Sequence, residues 1–338
     1  MSRDVKVSIV GAGSWGTALA VLLSKKGYCV SLWGHNTDHV LAISQKRENS
    51  KYLPSVWLPE NIEVTGSLEE CCQGSAIIVM VVPSHGLRKV FRSLVPYIAN
   101  NVKIVSAIKG IENDTLLTMT QVIQETLDKE TSKEKVEVGV LSGPSFAQEV
   151  AVDVPTAITI GFSDIDTARE MQRVFGTETF RVYASQDVIG LEISASFKNI
   201  VAISAGVCEG LGYGLNTRAA LITRGLAEMK RVGVALNADP DTFSGLSGLG
   251  DLVLTCTGNL SRNRTVGIKL GEGKNIKQIT SEMSMVAEGI KTTKSLYDLT
   301  TKLSIDVPIL DQVYKIIYQG KSCSAAVKDL LARELKVE

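Results

Sequence analysis

Hydrophobic positions follow two rhythms along the chain. As far as about residue 187, short runs apolar on both faces alternate with stretches of helical period, and each run stops at glycine, proline or a polar turn. The runs 5–10, 29–33, 76–82, 103–106, 136–141, 156–160 and 180–184 read as strands, with helices at 17–24 and 165–175. Ser67-Leu-Glu-Glu70 reads as a capping box opening a short helix, and Thr37 as the cap of another with Asp38 in its first turn. Beyond residue 187 helical period takes over, through 217–232, 276–283, 290–303, 310–318 and 323–335. The pattern predicts an α/β protein: an N-terminal Rossmann-type doubly wound sheet over 1–187, then a C-terminal all-α domain over 188–338.

One position breaks the second pattern. Lys198 lies in the middle of Leu191-Glu-Ile-Ser-Ala-Ser-Phe-Lys198-Asn-Ile-Val-Ala-Ile-Ser-Ala-Gly206, a run otherwise suited to burial. On a helix, its neighbours three and four residues away are Ser194, Ala195, Val201 and Ala202, and none is acidic. A desolvated lysine without a local partner loses basicity and can donate or accept a proton near neutral pH. The plainer reading buries only the aliphatic stem and lets the ammonium reach solvent. With the domain boundary at the start of this helix, Lys198 is expected at an interdomain cleft, where small-molecule sites form.

The first strand runs directly into Gly11-Ala-Gly13-Ser-Trp-Gly16 and then a helix. In such a loop Gly11 permits the tight turn, Gly13 lets the backbone approach a pyrophosphate, and Gly16 allows helix and strand to pack closely. The helix N-terminus then offers N–H groups to the anion. An NAD-specific site would place a carboxylate near the end of the second strand, but that position reads Gly34-His35-Asn36. A 2′-phosphate is therefore not repelled, and His35 can donate to it or stack on adenine, unless it is a solvated loop residue. NADPH or NADH is the cofactor expected. Lys109, at the end of a strand, could hold a phosphate or polarise a carbonyl, or be a surface lysine. Gly143-Pro-Ser145 offers a small polar ligand a tight turn, a hydroxyl and N–H groups.

A second glycine-rich segment, Gly245 to Gly258, carries one acid, Asp251, among apolar residues. A buried carboxylate needs a cation, and pairing it with Lys198 would satisfy both. Ser261-Arg262-Asn263 at a helix start reads as an anion cradle, or as a cap followed by exposed arginines.

Composition narrows the classes. At 338 residues the chain exceeds one ordinary core, and its 36 basic and 36 acidic residues cancel, so neither nucleic acid nor an anionic membrane is indicated as a partner. The 6 cysteines lack paired metal-ligand spacing and read as reduced, mostly buried residues; with only 3 histidines, no metal site is expected. No charged-then-apolar leader precedes Val5, no uncharged apolar run is long enough for an integral membrane segment, and the C-terminal Leu335-Lys-Val-Glu338 is no targeting signal. The expected location is cytoplasmic.

Motifs in order along nearly the whole chain carry a closer resemblance: GAGSWGTALA from Gly11, LWGH from Leu32, VVPSH from Val81, AIKGIE from Ala107 and SGPSFAQE from Ser142. FKNIVAISAG from Phe197, NTRAALITRGLAEM from Asn216, GLGDLVLTCTGNLSRNR from Gly248 and MVAEGIKTT from Met285 complete the set. The chain resembles the bacterial-type NAD(P)-dependent glycerol-3-phosphate dehydrogenases. The resemblance implies reversible reduction of dihydroxyacetone phosphate to sn-glycerol 3-phosphate, feeding glycerophospholipid synthesis. It makes Lys198 the proton acceptor in the oxidation direction. It puts Lys109, Gly143, Ser145, Asp251, Ser261, Arg262 and Asn263 on the substrate. Ser14, Trp15, His35, Lys109, Ala147, Arg262, Val286 and Glu288 would contact the cofactor. A homodimer is compatible with this reading. Two rivals stand beside it. A 3-hydroxyacid or ketopantoate-type reductase would also use a helix-borne lysine but has no need of the phosphate cradle, and a dinucleotide-sensing regulator would need neither the buried lysine nor Asp251.

Overall fold

The apolar runs pair as strands: β1 (Lys6–Val10), β2 (Cys29–Trp33), β3 (Glu48–Asn49), β4 (Leu53–Trp57), β5 (Ile62–Thr65), β6 (Ile77–Met80), β7 (Lys103–Ser106), β8 (Glu137–Ser142), β9 (Thr156–Phe162) and β10 (Phe180–Ser185). These come from a computed structural model that describes residues 5–130, 135–283, 287–335 and 337. Eight strands form one sheet in the order β10-β9-β8-β7-β6-β1-β2-β5, while β3 and β4 make a separate antiparallel ribbon. Chain order reverses on either side of β1, which pairs in parallel with both β2 and β6. Val10, Trp33 and Met80 end level in that register, so the crevice outside β1 is the switch point where such sheets bind ligands.

The sheet is parallel from β5 to β8, but β9 runs antiparallel to β8. The intervening helix, Ala147–Ala151, explains this: five residues rise only about 7 Å, too little to carry the chain back along β8 for a parallel return. The longer helix Ile165–Phe175 does make that crossover, and β10 is parallel to β9. Helix Ser14–Lys25 is buried from Gly16 through Ser24 and packs into a core with Val7, Ile9, Val30, Leu32, Ile77 and Val79. Full burial of Leu19 or Leu23 there stabilises by roughly 1.5–3 kcal/mol each.

Two caps differ from expectation. Asn36, not Thr37, caps helix Thr37–Lys46, its side chain accepting the His39 N–H; Asp38 does lie in the first turn. Ser67 accepts the Glu70 N–H as expected, but the Glu70 carboxylate accepts from Thr65 Oγ1 (2.5 Å) instead of closing the box. Thr65 also accepts the Ser67 N–H, so it occupies both groups the box would have joined.

The chain divides into two compact units, Met1–Lys109 with Thr118–Leu191, and Gly110–Leu117 with Glu192–Glu338. Helices build the second: most of Val188–Gly210, then Leu215–Ala235, Asp251–Thr257, Arg262–Gly271, Ile276–Glu282, Glu288–Lys302, Pro308–Gln319 and Cys323–Leu331. Helix Val188–Gly210 has the length and apolarity of a membrane span, yet 89 % of its apolar window is buried inside the protein. It meets helix Arg262–Gly271 through glycines on both sides. A methyl on Gly206 would lie 2.1 Å from the Arg264 carbonyl oxygen, and one on Gly267 2.0 Å from that of Ile203. Gly210 and Gly271 repeat the contact one turn on, against the carbonyls of Ile268 and Val207. Backbone therefore rests on backbone, and the two helices have no side-chain layer between them.

Elsewhere in this unit Glu228 is buried and accepts the Ile309 N–H at 2.8 Å and the Leu310 N–H at 3.3 Å, capping helix Pro308–Gln319 from outside. Burial pushes its carboxyl up to about 7, against the opposing pull of those two N–H groups.

Candidate active site

In the first unit the glycine loop has the form its spacing predicts. Gly11 has φ +132°, and a methyl on it would lie 2.5 Å from the Val81 carbonyl oxygen; on Gly16 it would lie 1.9 Å from that of Gly11. Both positions exclude any side chain. Gly13 is the opposite case, with nothing within 4 Å of an added methyl, so its backbone faces open space. Gly13 is also the N-cap of helix Ser14–Lys25, with no capping side chain and no acid in the first turn. The Trp15 Nε1 is buried and has no hydrogen-bond partner. A glycine backbone open to a neighbour, an uncapped helix start and an orphan donor fit the pyrophosphate of a dinucleotide.

Around this loop, His35 follows β2 and is exposed, with no acid at Gly34, His35 or Asn36. Lys109 is half-buried beyond β7. Gly143 turns the chain after β8 at φ +141°, where a methyl would press on Ile158 Cα at 2.9 Å, and Ser145 Oγ donates to the Gly143 carbonyl at 3.0 Å. Ala147 begins the short helix that follows.

In the second unit the sequence-predicted partners meet. Lys198 is 4 % exposed and Asp251 1 % exposed, and Lys198 Nζ lies 2.5 Å from Asp251 Oδ1. The lysine does not reach for solvent. A wide turn, Leu246–Gly250, leads into helix Asp251–Thr257, with the Gly250 N–H reaching back to the Gly245 carbonyl. Thr255, one turn after Asp251, accepts a hydrogen bond from Lys198 Nζ at 3.0 Å and donates to the Asp251 carbonyl at 2.6 Å. Two of the ammonium's three hydrogens are thereby directed. Cys256 lies within the field of this pair, but burial pushes its thiol up to about 12, so it stays a neutral packing group.

Ser261 caps helix Arg262–Gly271 by accepting the Arg264 N–H at 3.2 Å; Arg262 is exposed at its first position, and Asn263 is buried. Asn263 Oδ1 accepts the Gly289 N–H at 3.1 Å, which brings Glu288 and the start of helix Glu288–Lys302 beside the cradle. Val286 lies outside the described residues.

Three groups of side chains escaped the sequence reading. Thr255 stands four residues after Asp251, on the same helix face, and that spacing was the available signal. Glu209 grips Arg264 through two bonds, Nε to Oε2 at 2.9 Å and Nη2 to Oε1 at 2.6 Å, and also accepts from Arg218 at 2.7 Å. Asn49, fully buried in the β3–β4 ribbon, hydrogen-bonds the glycine loop. Neither the contact to the glycine loop nor that to Arg264 has a local sequence signal, because Ala12 and Thr17 lie 37 and 32 residues from Asn49 and Arg264 lies 55 from Glu209.

Two family models match the chain: "NAD-dependent glycerol-3-phosphate dehydrogenase N-terminus" over residues 6–168 and "NAD-dependent glycerol-3-phosphate dehydrogenase C-terminus" over 187–328. A protein of Desulfotalea psychrophila named glycerol-3-phosphate dehydrogenase [NAD(P)+] is 59 % identical over 332 residues, 98 % of each chain. One of the same name from Citrifermentans bemidjiense is 50 % identical, again over 98 % of each. The crystal structure of glycerol-3-phosphate dehydrogenase from Coxiella burnetii superposes with a TM-score of 0.93 at 37 % identity, covering 98 % of this chain and 100 % of that one.

Proposed function

The chain belongs to the NAD-dependent glycerol-3-phosphate dehydrogenase family, and we propose that it exchanges a hydride between NAD(P)H and dihydroxyacetone phosphate with Lys198 as the proton-transfer group. The observation that carries this reading is the buried Lys198–Asp251 pair, steadied by Thr255. An ion pair with both members buried stabilises a fold poorly, since desolvation offsets most of the attraction. Its presence here fits a proton-handling task.

When bound, NAD(P)H supplies the hydride that adds to the carbonyl carbon of the substrate. Lys198 then donates the proton that the former carbonyl oxygen needs to become the hydroxyl of sn-glycerol 3-phosphate; in the reverse direction it accepts that proton. Asp251 favours the ammonium and aims it, and Thr255 limits its rotation. The open backbone at Gly13, the N–H groups after Ser14, and Trp15 Nε1 hold the pyrophosphate region, flanked by Gly11 and Gly16. His35 stands where a ribose 2′-substituent would come, without a carboxylate to repel a phosphate there, which supports use of both NADPH and NADH. Ala147, Val286 and Glu288 complete the cofactor contacts in this proposal. Ser261, Arg262 and Asn263 take the substrate phosphate, with Lys109, Gly143 and Ser145 as further substrate ligands and Lys109 and Arg262 touching both molecules. A cytoplasmic enzyme supplying glycerophospholipid synthesis is part of the same reading.

The test is a spectrophotometric assay of dihydroxyacetone phosphate reduction with NADPH and NADH, on the native enzyme and on Lys198→Ala. Turnover is expected to vanish in the variant while NADPH binding stays close to native. Full activity in that variant would end the proposal.

A further inference from the structure

Asn49 is 0 % exposed, and all of its amide hydrogen-bonding capacity is committed. Its Nδ2 donates to the Ala12 carbonyl at 3.0 Å and to Thr17 Oγ1 at 2.8 Å. A carbonyl oxygen only accepts, so the amide group facing Ala12 must be the NH2, and the orientation of Asn49 is forced. Its Oδ1 therefore accepts, from the Tyr52 N–H at 3.3 Å and from His39 Nε2 at 2.9 Å. That in turn requires the hydrogen of His39 on Nε2. Thr17 Oγ1, having received from Asn49, passes its own hydrogen to the Gly13 carbonyl at 2.8 Å.

The bonds thus run one way, from His39 through Asn49 and Thr17 to the carbonyls of Ala12 and Gly13. Those two carbonyls flank the point where the loop backbone faces open space. Each peptide whose carbonyl is held toward the protein has its N–H turned the opposite way, because the peptide unit is planar. The ribbon β3–β4 carries the residue that does this, and its register shifts at Glu48/Asn49, where the chain brings Asn49 to the loop.

We propose that Asn49 is a positioning residue for the cofactor: by holding the Ala12 and Gly13 carbonyls directly and through Thr17, it orients the loop's N–H groups toward the pyrophosphate. The proposal rests on the reading that the glycine loop binds the pyrophosphate. Asn49 acts on the phosphates through the loop and does not touch the adenosine end. A change at Asn49 should accordingly weaken only ligands that carry the pyrophosphate.

The experiment measures ADP-ribose, which contains the pyrophosphate, and adenosine, which carries no phosphate, as competitors of NADPH on the full-length enzyme. Asn49→Asp replaces the donating NH2 by an acceptor. It is expected to weaken ADP-ribose about tenfold, the size expected from unmaking one or two buried hydrogen bonds, while adenosine changes by less than about twofold. Thr17→Val, which removes the relay to Gly13 without touching Asn49, should weaken ADP-ribose in the same selective way by about threefold. It serves as the test if Asn49→Asp does not fold. A purely structural role would lower the melting temperature and affect both ligands alike, or neither, and either result overturns the proposal. Gly13→Ala separates this inference from the reading beneath it, since an added methyl meets no protein atom within 4 Å and the variant should fold. Unchanged ADP-ribose binding in Gly13→Ala would remove the pyrophosphate from the loop altogether. Loss there, with no selective loss in the Asn49 and Thr17 variants, would sink the positioning role alone.

Discussion

Asp251→Asn offers the most direct perturbation of the proton-transfer site, because it keeps the shape of the side chain and one acceptor oxygen while removing its charge. Lys198 is 4 % exposed, and in the native protein its ammonium has a carboxylate oxygen 2.5 Å away. Removing one member of a buried pair typically destabilises by roughly 3–5 kcal/mol, because the other charge stays desolvated. Thr255 still accepts from Nζ at 3.0 Å, which places the expected loss near the lower end, about 3 kcal/mol at pH 7. The loss belongs to the charged form of Lys198, so it has a characteristic pH dependence. As pH rises and the lysine in the variant gives up its proton, the deficit against the native enzyme should shrink. The same bias appears in catalysis: oxidation of sn-glycerol 3-phosphate needs the unprotonated lysine, so its acidic limb should move to lower pH in Asp251→Asn. Reduction needs the proton and should lose rate at neutral pH. Urea denaturation at pH 7 and pH 9, with pH–rate profiles in both directions, measures each effect. An unmoved acidic limb together with native stability would refute the coupling between this pair and the chemistry.

Glu228 predicts a second pH effect with its own sign. Its carboxyl is raised from an ordinary 4.5 to about 7, so the folded state holds its proton more tightly than the unfolded chain; the resulting stability is full below about pH 4.5 and is lost as pH rises through 7. At about 1.4 kcal/mol per pH unit the loss approaches about 3 kcal/mol, and Glu228→Gln should abolish it; parallel stability curves for the two proteins between pH 5 and 8 would show that the group does not titrate this way. Gly267→Ala would set a methyl 2.0 Å from the Ile203 carbonyl oxygen, forcing two helices apart at a cost of about 1–3 kcal/mol, and it should raise KM for dihydroxyacetone phosphate more than it weakens NADPH. Thermal melts and initial-rate kinetics check both parts, and a variant as stable as the native enzyme would mean that the helices separate at no cost.

The parts of the fold visible in the sequence are those whose cause is local. The glycine loop is one, since Gly16 is crowded by the Gly11 carbonyl within one strand–turn–helix unit, although the backbone that crowds Gly11 is that of Val81 after the neighbouring strand. The strands around β1 are another, because burial on both faces leaves an unmistakable apolar run. Local signals misled where two acceptors compete for the same helix end, as when Asn36 takes the cap expected of Thr37. The antiparallel β8–β9 join went unread because strand direction depends on how far the connection can travel, not on any residue in either strand. The Lys198–Asp251 pair could be inferred only as two unsatisfied charges needing each other; its geometry is a tertiary fact. Asn49 looks like part of a polar loop in Lys46-Arg-Glu-Asn-Ser-Lys51, and the four glycines of the helix crossing have meaning only when both helices are seen together.

The helix that bears Lys198 has a consequence before folding is complete. Its apolar window, with a mean hydropathy of 1.4, belongs to a 23-residue helix long enough to cross a bilayer. In an emerging chain this segment is uncovered until the rest of its unit exists to bury it. Lysine near the middle of such a segment disfavours insertion by roughly 3 kcal/mol, and Glu192 adds a second charge nearer the end. The side chain assigned here to proton transfer therefore also works against partition of its own helix into lipid, while the protein is still being made.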